Sequence, residues 1–280
     1  MADLSPFKAV RPCKKNLQHF SSKSYKSYTA KELKQILSTN PLSFLSIIHL
    51  KKNASGSLKK SERYQLVKNK FDDFKSEKVL IKDLLPAFYI YETVQKEGHM
   101  FCGIIAGASV KDYNTNVIKK HEATLSIREN TFKTYLKIVR FNAAPVLLTY
   151  KEDQSLEKTI QTAKENTSEI ETWNSENETH KLWCVNDSET IHLIQKAFEE
   201  VPSLYIADGH HRSASSALLA NEIESNSTLP KDKNYTHFLS YLIPENQLKI
   251  YDYNRLIKSL NRLKPEEFLK KISLTFELKN

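Results

Sequence analysis

Apolar residues recur at a helical spacing in several parts of the chain. Between residues 61 and 74, a tyrosine, a valine and two phenylalanines lie three or four positions apart, which predicts an amphipathic helix. Thr29 precedes a similar run, and Glu32 occupies the capping-box position that marks a helix start. On the same grounds, helices are predicted at residues 29–37, 126–139, 156–165, 189–200, 213–223 and 266–271.

Short runs of apolar, β-branched or aromatic residues predict strands between these helices. Residues 87–94 and 99–110 are two such runs joined by Gln-Lys-Glu-Gly, which is typical of an antiparallel hairpin. Further strands are predicted at residues 43–50, 144–150, 181–185, 203–207, 236–243 and 247–253. Because strands and helices interleave along the chain, we expect a mixed α/β fold, with a mixed sheet and flanking helices.

The distribution of polar residues predicts the domain organisation. Residues 151–181 form the most polar stretch, and Trp173 is their only aromatic side chain. This composition favours a polar connection between two lobes. We therefore predict an N-terminal mixed α/β lobe at residues 1–150 and a C-terminal lobe at residues 182–280.

The charge balance bears on the choice of partner. The formal net charge is +9, which suits a nucleic-acid partner because cationic side chains displace counterions from phosphates. Only seven of the 42 basic residues are arginine, the side chain best suited to bidentate recognition of phosphate and guanine. Nucleic acid is therefore the less favoured partner.

Apolar runs and cysteines restrict the class of protein further. No run approaches the roughly 18 apolar residues that a spanning helix needs, and the first residues lack the apolar stretch of a signal peptide. We therefore expect a cytoplasmic protein with no membrane partner. The cysteines, Cys13, Cys102 and Cys184, are isolated in the sequence, which argues against a disulfide framework and a paired-cysteine zinc site.

Glycine is scarce, and its scarcity is informative. The chain has five glycines, too dispersed for a Walker phosphate loop, a GxGxxG turn or a nucleophile elbow. Gly209 differs from the rest in its setting, because it lies between an apolar strand and a helix rich in small residues. We call residues 208–212, Asp-Gly-His-His-Arg, the DGHHR turn.

The residue types in the DGHHR turn suit the binding of a phosphate. Gly209 can adopt a positive φ, the first N–H groups of the following helix point at an anion, and Arg212 offers a planar cationic fork. Asp208 is a candidate for holding Mg²⁺ or accepting a proton, and adjacent imidazoles can donate to phosphoryl oxygens or move protons. The candidate phosphate- or nucleotide-binding residues are Gly209, His210, His211, Arg212, Ser213 and His121.

A second polar segment, Lys-Lys-His-Glu-Ala-Thr at residues 119–124, contains His121 and Glu122. Glu122 is a candidate general base or metal ligand. The candidate catalytic residues are thus Asp208, Glu122 and His210, and the candidate metal ligands are Asp208 and Glu122. The alternative is structural: Asp-Gly is a common turn dipeptide, Asp208 can simply cap the helix, and the other charged side chains can be solvated.

Several segments together resemble one known family. Pro-Phe-Lys-Ala-Val-Arg-Pro at 6–12, His-Glu-Ala-Thr at 121–124 and Tyr-Ile-Ala-Asp-Gly-His-His-Arg-Ser-Ala-Ser at 205–215 occur in this order in a bacterial and archaeal family. That family is catalogued as a domain of unknown function, number one thousand and fifteen. Its members extend past the equivalent of residue 280, so the resemblance implies that this chain is a short relative or a fragment.

The DGHHR turn is also similar to a turn of the ParB/sulfiredoxin-like superfamily, which includes partition proteins, sulfiredoxins and kinases of free serine. In those proteins a strand, this turn and a helix start hold nucleotide phosphates. The resemblance implies that residues 208–212 bind a nucleotide and that Glu122 or Asp208 serves as base.

These observations lead to a functional hypothesis. We expect a nucleotide-dependent phosphotransferase that acts on a small hydroxylated metabolite, with free serine as the best single candidate, ATP or ADP as donor, and Mg²⁺. The alternative is a ParB-like nucleotide-binding or DNA-associated module without catalysis, and a further alternative is a degenerate relative that keeps only the fold.

Overall fold

The computed structural model describes residues 1–49, 58–226, 233–252, 254 and 256–278. The polar sequence Lys-Lys-Asn-Ala-Ser-Gly-Ser-Leu-Lys-Lys at residues 51–60 predicts a loop, and most of it lies outside these ranges. The chain divides into two units, residues 1–248 and residues 249–280. The second unit contains one described helix, Pro265–Ile272, which begins with a backbone-to-side-chain bond from Lys264 to Glu267.

The first unit combines strands and helices in alternation, as the pattern predicts. Its described strands are β1 Leu4–Ser5, β2 Val10–Pro12, β3 Leu80–Lys82, β4 Phe88–Gln95, β5 Met100–Ser109, β6 Ile118–Lys119, β7 Val146–Tyr150, β8 Glu169–Asn174, β9 Glu178–Val185, β10 Leu204–Asp208 and β11 His237–Pro244. Its described α-helices are α1 Leu17–Phe20, α2 Ala30–Thr39, α3 Leu45–Ile48, α4 Lys60–Ser76, α5 Val110–Asn114, α6 Ser126–Val139, α7 Gln154–Asn166, α8 Ser188–Glu199 and α9 His210–Ser225. The helix of the second unit is α10.

A nine-stranded mixed sheet organises the first unit. Eight strands run in the order β6-β10-β7-β11-β5-β4-β9-β8, and β1 pairs with β5 beside them. The expected hairpin is β4 and β5, whose turn contains Gly98 at φ +87°. The prediction of a mixed α/β fold with a mixed sheet and flanking helices is thus confirmed.

Two clusters of buried apolar side chains hold this arrangement together. The larger cluster lies on the sheet and includes Phe88, Ile104 and Leu148 from three strands and Phe198 from α8. The smaller cluster joins α3, α4, α6 and β3, and it includes Phe74. The burial of Phe74 and Val67 explains why the apolar spacing between residues 61 and 74 predicts a helix correctly.

Two strand predictions are wrong. Residues 45–48 of the predicted strand 43–50 form α3, with Leu45 and Ile47 buried; a short apolar run does not distinguish a buried strand from a buried helical turn. No strand occurs among the described residues of the stretch predicted at 247–253, where Ile250 and Tyr251 are exposed. Conversely β8 was not predicted, because its sequence, Glu-Ile-Glu-Thr-Trp-Asn, is polar.

The segment expected as a polar connection contains regular structure. Residues 151–181 include α7 and β8, and β8 pairs with β9 at the end of the sheet. The sheet therefore takes strands from all three segments of the predicted domain division. Within the ranges described, no helix combines the length and apolar composition that crossing a membrane requires.

Candidate functional site

The sheet topology places the two polar segments at one edge. β10 and β6 are parallel neighbours, with Leu204 opposite Ile118 and Tyr205 opposite Lys119. Because the carboxyl ends of parallel strands lie at the same edge of a sheet, the residues that follow them come close together. Those residues are the DGHHR turn after β10 and His121 with Glu122 after β6.

The DGHHR turn reverses the chain at Gly209. Gly209 has φ +104° and ψ 24°, a left-handed conformation that glycine adopts without the Cβ penalty of other residues. Its carbonyl accepts hydrogen bonds from the N–H groups of Arg212 (2.8 Å) and Ser213 (3.0 Å). Among the described residues, the N–H groups of His210 and His211 have no hydrogen-bond partner, so the helix start offers two free donors.

Arg212 folds back against the turn. Its Nη1 donates to the carbonyl oxygen of Pro145 at 2.5 Å, and its Nη2 pairs with Oδ2 of Asp208 at 2.5 Å. The guanidinium also covers Gly209, where an added Cβ would lie 3.0 Å from Nη2. Arg212 is therefore a clamp on the turn, and its charge is compensated by Asp208, whose side chain is 75% exposed.

His210 connects the turn to the second polar segment. Its Nδ1 lies 3.3 Å from Oε2 of Glu122, and the ring of His121 packs edge-on against it with centroids 4.4 Å apart. The His210 side chain is 5% exposed, whereas that of Glu122 is 62% exposed. Burial, followed by the charge of His121, lowers the pKa of His210, and Glu122 and Asp208 oppose this shift.

Other predicted site residues have different surroundings. Ser213 is fully buried, and its hydroxyl donates to the carbonyl of His210 at 3.0 Å, as serine commonly does inside a helix. Nε2 of His210 and Nδ1 of His211 are buried without hydrogen-bond partners among the described residues. The arrangement brings Asp208, Glu122 and His210 together, whereas the Ser213 hydroxyl is used within α9.

In the part of the chain that the structure describes, no group of three or more His, Cys, Asp or Glu side chains could hold a metal ion. Asp208 and Glu122 are exposed carboxylates, and the negative charges of both act to raise the pKa of His210. Mg²⁺ commonly binds one or two carboxylates and takes its other ligands from water and phosphate, so this donor set suits Mg²⁺ in the presence of a nucleotide.

A comparison with protein-family models identifies the relatives of the chain. The model described as "Protein of unknown function (DUF1015)" matches residues 4–280, nearly the whole sequence. The chain belongs to the DUF1015 family. Neither the curated proteins nor the solved structures contain a match to this DUF1015 protein.

The chain also has a concave region lined by residues outside the DGHHR turn, which sequence reasoning missed. A cleft of about 310 Å³ lies where β7 and β11 end, beside α7. Its walls include Cys102, Tyr150, Glu157, Lys164 and Gln247. We call it the α7 cleft. These residues come from separate segments, so no contiguous motif could have indicated it; the helical periodicity of α7 was the only available signal.

Proposed function

We propose that this protein is a nucleotide-dependent phosphotransferase that acts on a small hydroxylated metabolite, with free serine as the first candidate. The observation that supports the proposal is the 3.3 Å contact between Nδ1 of His210 and Oε2 of Glu122. It brings a helix start with unpartnered N–H groups next to an exposed carboxylate, and phosphoryl transfer to a hydroxyl group needs an anion-binding group and a base.

The helix start would bind the phosphates of the nucleotide. The unpartnered N–H groups of His210 and His211 and the positive end of the α9 dipole favour an anion at this position. Arg212 contributes less than a free arginine would, because Asp208 compensates its charge. The backbone therefore carries most of the anion recognition in this proposal.

Glu122 would accept the proton of the substrate hydroxyl. The hydroxyl oxygen attacks the terminal phosphorus, a new P–O bond forms, and the bond from that phosphorus to its bridging oxygen breaks. The hydroxyl proton passes to the Glu122 carboxylate, and the nucleotide leaves with one phosphate fewer. His210 is 5% exposed, so we assign it to positioning Glu122 rather than to contact with substrate.

Asp208 would hold the magnesium ion, which leaves Glu122 free to act as the base. When bound with a nucleotide, Mg²⁺ neutralises phosphate charge and fixes the orientation of the phosphates. This role requires only one or two protein carboxylates.

The experiment compares the wild type with Glu122→Gln, which removes the base and keeps the shape of the side chain. Each protein is incubated with Mg²⁺, ATP or ADP, and L-serine, and phosphoserine is measured by ³¹P NMR. We expect Glu122→Gln to lower the turnover number by about 10²-fold or more, with little change in nucleotide affinity. The control is Glu199→Gln, which makes the same charge change on the exposed face of α8 and should keep full activity.

Two outcomes would refute the proposal. One is the absence of phosphorylated product with serine, threonine and glycerol for both nucleotides. The other is equal turnover in the wild type and Glu122→Gln, which would show that the carboxylate takes no part.

A second candidate is nucleotide binding without catalysis, as in a ParB-like module. The observation that favours it is the pairing of Asp208 with Arg212, which engages the turn's own carboxylate. This candidate predicts that ATP or ADP raises the Tm equally in the wild type and Glu122→Gln, with no product. If the module associates with DNA, duplex binding should weaken steeply with salt.

A further inference from the structure

The α7 cleft contains a buried polar group that the fold leaves without a partner. Tyr150, the last residue of β7, is fully buried, and its hydroxyl has no hydrogen-bond partner among the described residues. Burial raises the pKa of Tyr150, with Glu157 and Cys102 adding to the effect, so the hydroxyl stays protonated and can donate. A buried polar group without a partner costs free energy, which a ligand that supplies the partner would recover.

One end of the cleft carries the Glu157 carboxylate, with the exposed Lys158 beside it in the lining. Glu157 lines the cleft, and its Oε1 is a second buried atom without a hydrogen-bond partner in the described ranges. Burial raises the pKa of Glu157, and the negative charges of Glu152 and Asp153 raise it further. An ammonium group placed there would satisfy the oxygen and relieve the repulsion among these carboxylates.

The other end of the cleft is cationic. Lys164 lines it and forms an ion pair with the buried carboxylate of Glu92, which lies 3.8 Å from Nζ of Lys181 as well. Two ammonium groups therefore share one carboxylate, and Nζ of Lys164 also lies over the ring of Trp183. The unbalanced positive charge can accept an anionic group from a ligand.

The two ends lie along one helix. Glu157 and Lys164 are seven residues apart on α7, a rise of about 10 Å at 1.5 Å per residue, which puts them on the same helical face. The volume of about 310 Å³ is at the small end for ligand pockets. The wall between the ends includes Cys102 and Ile160 together with the polar side chain of Gln161.

We infer that the α7 cleft binds a small zwitterion, whose ammonium group meets Glu157 and whose anionic group meets Lys164, with Tyr150 donating to the bound molecule. In such a zwitterion the ammonium group and the anionic group are separated by several bonds. The cleft and the DGHHR turn lie at opposite ends of β7, so this inference does not rest on the proposed phosphotransferase activity.

The test uses three probes that differ by one charged group. 6-Aminohexanoate carries both charges, hexanoate lacks the ammonium group, and hexylamine lacks the carboxylate. Glycine, 4-aminobutanoate and the common amino acids test the spacing of the charges. We expect at least one zwitterion with separated charges to raise the Tm by about 2 °C or more, whereas hexanoate and hexylamine have no effect at matched ionic strength.

Two variants locate the binding. Glu157→Gln and Lys164→Met should each reduce the affinity at least about 10-fold by calorimetry, since each removes one charge partner. Matched controls are Glu199→Gln and Lys196→Met on the exposed face of α8, which should bind as the wild type does. The Tm of each variant without ligand shows that it is folded.

The inference would be overturned by any of three results. These are no stabilisation by any zwitterion, equal stabilisation by hexanoate or hexylamine, and unchanged affinity in folded Glu157→Gln and Lys164→Met.

Discussion

The two candidate sites lie at opposite ends of one strand and are built in different ways. Pro145, just before β7, accepts the hydrogen bond from Arg212 of the DGHHR turn, whereas Tyr150, the last residue of β7, lines the α7 cleft. About 17 Å of extended chain separates them. The turn takes most of its groups from five consecutive residues, and the cleft collects its groups from β5, β7, α7 and the segment after β11.

This difference determines which of the two sites can be recognised from the sequence alone. Consecutive polar residues after an apolar strand remain adjacent in any fold, so the DGHHR turn is visible as a motif. The cleft exists only because β5 and β7 pair with β11 on either side, which no local pattern encodes. Local conformation forms the turn, whereas tertiary pairing of strands forms the cleft.

The largest expected effect comes from breaking the pairing that forms the cleft. Gly103 on β5 lies so close to β11 that a Cβ there would overlap the carbonyl oxygen of Leu242 and the side chain of Ile243. Because the backbone of β11 cannot move aside as the end of a flexible side chain can, Gly103→Ala should lower the free energy of unfolding by about 3 kcal/mol. Urea denaturation measures this change.

Gly107→Ala is the matched control on the same strand. A Cβ at Gly107 would lie 3.0 Å from the Cβ of His237 and 3.3 Å from the carbonyl of Ser5, a tight contact that small shifts relieve. Its cost should therefore be clearly smaller than that of Gly103→Ala. Equal costs would show that the approach of β11 to Gly103 does not set the stability of the β5–β11 pair.

Local patterns predicted much of the fold. The capping box at Thr29 and Glu32 forms as expected at the start of α2, and the predicted helix at residues 126–139 has the bounds of α6. These elements depend on neighbours in sequence. The structure of residues 43–50 could not be predicted in the same way, because tertiary burial decides whether a short apolar run becomes a strand or a helical turn.

The candidate site shows the same limit. The sequence predicted a turn with a positive φ at Gly209 and a helix after it, and both are present. It did not predict that Arg212 would face inward to Pro145 and Asp208, nor that His210 would be buried beside Glu122. Those contacts depend on the pairing of β10 with β6 and β7, which joins segments distant in sequence.

A medium effect is expected at the turn. Gly209→Ala should lower the free energy of unfolding by about 1–2 kcal/mol because alanine is strained in the left-handed conformation. A further loss is expected because the new Cβ would lie 3.0–3.1 Å from the Arg212 guanidinium. Displacing Arg212 weakens its contacts with Asp208 and Pro145. Urea denaturation again provides the measurement.

Gly98→Ala separates the two causes. Gly98 also has a positive φ, +87°, but a Cβ there would meet no atom within 4 Å. The difference between the two variants therefore measures the clamp formed by Arg212. If Gly98→Ala costs as much as Gly209→Ala, the clamp adds nothing to the stability of the turn.

The smallest expected effect is the pH dependence of stability that His210 of the turn contributes. Because the pKa of His210 is lowered from 6.5 by burial, the unfolded chain binds its proton at a higher pH than the folded protein does. The contribution of His210 to the free energy of unfolding should thus be fully present above pH 6.5. It should decline as the pH falls from 6.5 towards the pKa of His210 in the folded protein. His210→Gln should show a weaker decline of the urea midpoint, with the rest coming from groups such as His180, whose pKa burial also lowers. An equally steep decline in His210→Gln and the wild type would contradict this prediction. It would mean that His210, with His121, Glu122, Asp208 and His211 around it, takes up its proton as readily in the folded protein as in the unfolded chain.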